Sequence, residues 1–114
     1  MTSRMTSRDR TALQDILRTI HRIEGFPIWD QQILSDADVL RDAVIGCLQV
    51  IAEATKRLSR DLRAQNPEIP WRDMAGMRDV LIHTVDRVDL EEIWVTLKEQ
   101  LPCLKEQIEP LLEE

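Results

Sequence analysis

Asp38–Leu62, DVLRDAVIGCLQVIAEATKRLSRDL, decides the fold. Leu40, Val44, Cys47, Leu48, Ile51, Ala54, Leu58 and Leu62 recur at the spacing of one helical face, so the whole stretch is expected as a long amphipathic helix. Ser35-Asp36-Ala37-Asp38 before it resembles an N-cap with acids in the first turn, and Asn66-Pro67 ends it. Working outward, Leu13, Ile16, Leu17, Ile20 and Ile23 trace a first helix that Gly25 stops. Phe26-Pro27-Ile28-Trp29 is a hydrophobic connection expected to fold back over the helices as a lid. Past Pro70, Trp71, Met74, Met77 and Leu81 mark a shorter helix, followed by a turn at 86–88. Asp89-Leu90-Glu91-Glu92 has the form of a capping box opening a helix through Ile93, Trp94, Leu97 and Leu101. Pro102 must then break or kink that helix, or stand in the first turn of a new one, and Leu104, Ile108, Leu111 and Leu112 continue the stripe. No segment alternates as a strand does. The expected fold is all-α, a four- to five-helix antiparallel bundle.

The bulk numbers agree. A chain of 114 residues is one domain, large enough for a core and small enough that dimerisation would help it. Met1-Thr2-Ser3-Arg4 repeats as Met5-Thr6-Ser7-Arg8, so residues 1–8 are set aside as a disordered or extraneous N-terminus and 9–114 form the helical domain. No apolar run is long enough to span a membrane and the N-terminus lacks a secretory h-region, which points to the cytoplasm. Cys47 and Cys103 lie far apart, without zinc or disulfide spacing, and are expected as buried free thiols. The net charge of −6 argues against an extended basic surface. It favours a substrate gripped at few phosphates, or a basic protein partner.

Chemistry concentrates in Arg78-Asp79-Val80-Leu81-Ile82-His83. Arginine presents a planar fork of donors suited to phosphate, and histidine exchanges protons near neutral pH. With no metal-ligand cluster around them, and no cofactor implied, the pair suggests metal-independent phosphodiester chemistry. On a helix the two stand roughly 140° apart in azimuth, while Asp79 and His83 form an i,i+4 pair in which the carboxylate can hold the imidazole. The bland explanation is a solvated arginine and a histidine near a helix C-terminus.

The flanking residues add weight. Asp42-Ala43-Val44-Ile45, Ile51-Ala52-Glu53-Ala54, Lys56-Arg57-Leu58-Ser59, Ile69-Pro70-Trp71-Arg72, Met74-Ala75-Gly76-Met77, Ile93-Trp94 and Leu101-Pro102 stand in one order around the Arg–His pair. From about residue 13 to the C-terminus this pattern resembles the HepT-like branch of the HEPN superfamily, the toxin half of HepT/MntA toxin–antitoxin pairs. The resemblance implies a HEPN-like helical homodimer and a ribonuclease, with an Arg-x4-His motif from each subunit facing a shared cleft. Arg78 and His83 carry over as catalytic residues, with Asp79 beside them. It further implies an RNA substrate and an MntA-like minimal nucleotidyltransferase antitoxin. The family motif often continues His-x-Tyr, the tyrosine being the target of AMPylation by the antitoxin. Here the run is His83-Thr84-Val85, and the chain has no tyrosine.

Several residues admit two explanations. Glu53 interrupts an apolar run, and either lines the cleft and orients Arg78 or is simply solvated. Lys56, Arg57, Arg60 and Arg63 form the densest basic run, either a solvated face or phosphate contacts beside the cleft. Trp71 and Trp94 fit apolar stripes as core anchors rather than stacking platforms. His21 is expected at the surface. Gly76 in mid-helix suggests close approach of another backbone, such as one across a dimer axis. For the protein as a whole, the alternative to an endoribonuclease is a non-catalytic HEPN module that binds nucleotide, RNA or a nucleotidyltransferase. The missing tyrosine and the acidic charge favour the module; Arg78, Asp79 and His83 favour the enzyme.

Overall fold

The computed structural model describes residues 5–83 and 90–113, with side chains through Met77 and again from Leu90. Helix α1, Ser7–Glu24, starts where the Thr6 hydroxyl accepts the Asp9 amide at 3.0 Å, and buries Ala12, Leu13, Ile16, Ile20 and Ile23. Met5, just ahead of α1, packs against the core.

The next start differs from the expected one. A short helix α2, Gln31–Asp36, is capped by Asp30, whose carboxylate accepts the Ile33 amide at 3.1 Å. Ser35 and Asp36 therefore close α2 instead of opening the long helix. That helix, α3, spans Asp38–Lys56 and begins at Ala37 without a side-chain cap. Arg41 secures the joint by donating to the carbonyls of Leu34 and Ser35 at 3.0 and 3.1 Å. Between α1 and α2 the connection folds back in part: Ile28 is buried, Phe26 is half-buried and Trp29 stays exposed.

The long helix also ends early. It stops at Lys56, and α4, Arg60–Gln65, restarts behind Ser59, whose hydroxyl accepts the Leu62 amide at 3.2 Å. A continuous helix would send the Ser59 N–H to the carbonyl of Thr55. Here the Asp9 carboxylate takes that N–H at 2.8 Å and the Ser59 hydroxyl at 2.7 Å.

Helix α5 spans Trp71–His83. The last rod is continuous from Leu90 to Leu112: α6, Leu90–Val95, widens into a π segment at Thr96–Gln100 and passes into α7, Leu101–Leu112. Pro102 has no N–H to give, and its ring would crowd the carbonyl of Lys98 in a regular helix. The wider π turn immediately before it relieves that clash, and the proline falls in the first turn of α7. The proposed capping residue Asp89 lies outside the described residues, as does the turn at 86–88.

Helix α3 packs on both α1 and α5, and α1 also packs on α7. Contacts fix directions. Asp9 meets Ser59 and Asp15 meets Arg57, so α1 and α3 run antiparallel. Arg10 reaches the carbonyl of Leu112 while Glu24 meets Lys105, so α1 and α7 do likewise. Leu13, Ile16, Ile20, Leu34, Val44, Ile51, Met74, Leu101 and Ile108 form the fully buried centre. Truncating any one of these leucines or isoleucines to alanine should cost about 2–5 kcal/mol. The described residues thus form six helical rods and no strand, one more rod than the upper expected number. Among them no helix is long and apolar enough to cross a membrane.

Candidate functional site

Helix α5 carries the Arg–His motif, and its first turn is firmly seated. The Trp71 indole N–H donates to the carbonyl of Asn66 at 2.9 Å, and the Met74 amide donates to that of Pro70 at 3.1 Å. Trp71 is buried, as expected of a core anchor, and Met74 is fully enclosed. Residues 78, 79 and 83 all belong to this helix. In helical register, position 78 continues the row of Trp71 and Met74, while 79 and 83 lie ~100° and ~140° further round. The side chains of Arg78, Asp79 and His83 lie outside the described residues, and Val85 does so entirely.

The supporting residues sit on the neighbouring helix. Glu53 is exposed between buried Ala52 and Ala54 on α3, one turn before Arg57. The helices bearing all five candidate residues pack against each other. Arg57 caps the C-terminus of α3, and its guanidinium donates to Asp15 of α1 at 2.7 Å. Asp15 also accepts from Arg18 at 3.3 Å, so one carboxylate bridges two arginines.

Other candidates resolve simply. His21 is exposed beside Glu24 at 3.3 Å. Trp94 packs at the core edge, with the Lys98 ammonium 4.8 Å from its ring centre and donating onward to the carbonyl of Ile28 at 3.0 Å. Cys47 is buried, and burial pushes its thiol pKa up despite the nearby Arg22 charge, which leaves it unreactive. Cys103 is exposed, contrary to expectation. On α7 the buried row is Leu101, Leu104 and Ile108, and position 103 points off it. A Cβ on Gly76 would meet nothing within 4 Å, so crowding within the chain does not explain that glycine. A groove of about 420 Å³ between α5 and α7 is lined by Glu68, Asp73 and Glu99 and is unsuited to phosphate.

Periodicity missed one polar centre. Asp9 is 2 % exposed and holds Ser59 through both an amide and a hydroxyl hydrogen bond. Burial alone would raise its pKa, but the hydrogen bonds from Ser59 and the Thr6 cap outweigh it and hold the carboxyl below its ordinary value. Thr6-x-x-Asp9, a capping pattern that starts in the repeated N-terminal segment and ends just past it, was the available signal.

The ribonuclease HepT-like family model matches residues 14–111. A “Probable ribonuclease HepT” of Thermococcus cleftensis is 44% identical over 101 residues, covering 87% of this chain and 91% of that one. Two Methanocaldococcus jannaschii proteins, each named “Putative RNase”, are 38% and 36% identical over 112 residues, covering 96% of this chain and 97% and 93% of theirs. No solved structure matches. With a family model spanning nearly its whole helical domain and relatives matched almost end to end, this chain belongs to the ribonuclease HepT-like family.

Proposed function

We propose that this protein is a metal-independent endoribonuclease, the toxin of a HEPN/MNT (type VII) toxin–antitoxin pair, working as a homodimer. The observation that carries the proposal is the family match over residues 14–111, with positions 78 and 83 on one helix inside it. His83 takes the proton from a ribose 2′-OH as that oxygen forms a bond to the adjacent phosphorus. Arg78 stabilises the charge gathering on the phosphoryl oxygens. The P–O5′ bond breaks, and the leaving oxygen takes a proton from the matching histidine of the second subunit. The products are a 2′,3′-cyclic phosphate and a 5′-hydroxyl. Asp79 orients His83, and Glu53 and Arg57 support the cleft from α3. Requiring the 2′-OH restricts the substrate to RNA.

The antitoxin in this proposal is an MntA-like minimal nucleotidyltransferase. Val85 has no hydroxyl to accept AMP, so the partner neutralises this chain by covering the cleft. Arg78→Ala or His83→Ala should abolish cleavage of single-stranded RNA, with helicity by circular dichroism unchanged and EDTA without effect on the parent protein. Cleavage that stops with EDTA and returns with a divalent metal would sink the mechanism. A sedimentation profile showing only monomer at micromolar concentration would remove the shared cleft.

A further inference from the structure

Charge is unevenly distributed along this chain. Overall, 15 Lys and Arg face 21 Asp and Glu. Residues 5–22 and 53–63 reverse the balance, with eight Lys and Arg against four Asp and Glu. The fold brings these two segments side by side through the Asp9–Ser59 and Asp15–Arg57 contacts. Asp9 and Asp15, two of the acids there, are held by contacts within the fold. Asp9 is buried against Ser59, and Asp15 is shared between Arg18 and Arg57. At the surface, Arg18, Arg22, Lys56, Arg57 and Arg60 remain exposed. Arg22 lies close enough to Cys47 of α3 to act on its thiol, which places it along the same α1–α3 seam. From Asp9 to Arg22 the seam is ~20 Å long, taking ~1.5 Å per helical residue.

We infer that the α1–α3 seam, with Arg18 and Arg22 as its principal contacts beside Arg57, is a track for the phosphate backbone of single-stranded RNA. The inference rests on the ribonuclease proposal and adds to it the surface that holds substrate leading away from the cleaved bond. A locally positive seam on a protein of net negative charge concentrates a polyanion along one path. Asp15 sets the spacing: it holds the Arg57 guanidinium toward α1 instead of leaving it free. Binding by such a track comes from counterion release, so it depends on charge and falls with salt.

The test uses the full-length protein, a fluorescein-labelled single-stranded RNA and steady-state cleavage of the same RNA. Arg18→Ser/Arg22→Ser should weaken binding roughly 20-fold at 0.1 M salt and lower the slope of log K against log salt by about 1.4, two phosphates at ~0.7 each. The loss should fall on KM rather than kcat. Arg18→Lys/Arg22→Lys should restore both affinity and slope, because it keeps the charge and discards the guanidinium geometry. Wild-type cleavage with an unchanged salt slope and KM in the serine variant would overturn the track and leave the ribonuclease proposal standing. A wild-type protein that neither binds nor cleaves RNA would overturn both. Failure of the lysine variant to restore binding would also overturn a charge-based track.

Discussion

Helices α3 and α7 interrupt, or fail to interrupt, for opposite reasons. The stretch from Asp38 to Leu62 contains no proline and a clean apolar stripe, yet it breaks between Lys56 and Arg60. The stretch from Leu90 to Leu112 contains Pro102 and Pro110, yet one rod runs through both. At the first site a carboxylate fifty residues away captures the Ser59 amide that the helix needed. At the second, the backbone absorbs the proline by widening over five residues, Thr96–Gln100. A tertiary hydrogen bond can therefore interrupt a helix more effectively than a proline in a segment whose apolar face is well packed.

The sharpest way to break this comparison is Asp9→Ala. It removes a buried acceptor from two donors of Ser59, and should cost about 3 kcal/mol, read as a lower denaturant midpoint. The acid limb should change as well. The Asp9 pKa is lowered on folding, so its stabilisation is intact above the unfolded value near 3.8 and is lost as pH falls through the folded value. The alanine variant should therefore lose less further stability below about pH 4 than the parent does. Equal acid sensitivity in the two proteins would mean that Asp9 is not the latch.

A smaller effect is expected at the π segment. Lys98→Met removes the hydrogen bond to Ile28 and the contact with Trp94, and should cost about 1 kcal/mol in thermal or urea unfolding. No change would show that the segment from 26 to 29 is held by burial of Ile28 alone. The smallest effect is Pro102→Ala, expected within about 1 kcal/mol of the parent. Its readout is the amide chemical shifts of Thr96–Gln100, which should move toward those of a regular α-helix. Unmoved shifts would mean that packing, not the proline, imposes the π turn.

Much of this was legible in the residues. Apolar spacing located α1, the body of α3, α5 after Pro70 and the last rod through Ile93, Leu97, Leu101, Leu104 and Ile108, because burying one face is a local, periodic demand. Trp71 and Trp94 were recognisable as core residues for the same reason. The motif around Arg78 and His83 pointed to the HepT-like family, and the family match bears that out. Short α2 escaped notice because six residues around one buried leucine, Leu34, carry too little periodicity. Cys103 was misjudged because cysteine is usually buried, while its register on α7 turns it outward.

By itself, then, the sequence determined the helical class, the buried faces and the helix that bears the Arg–His motif, since each follows from residues within a few turns of one another. Only the tertiary structure decided where the long helix ends, how Asp15 joins Arg18 to Arg57, and that two basic segments some forty residues apart share one seam. Those outcomes depend on single hydrogen bonds and ion pairs between distant residues, which leave no periodic trace along the chain.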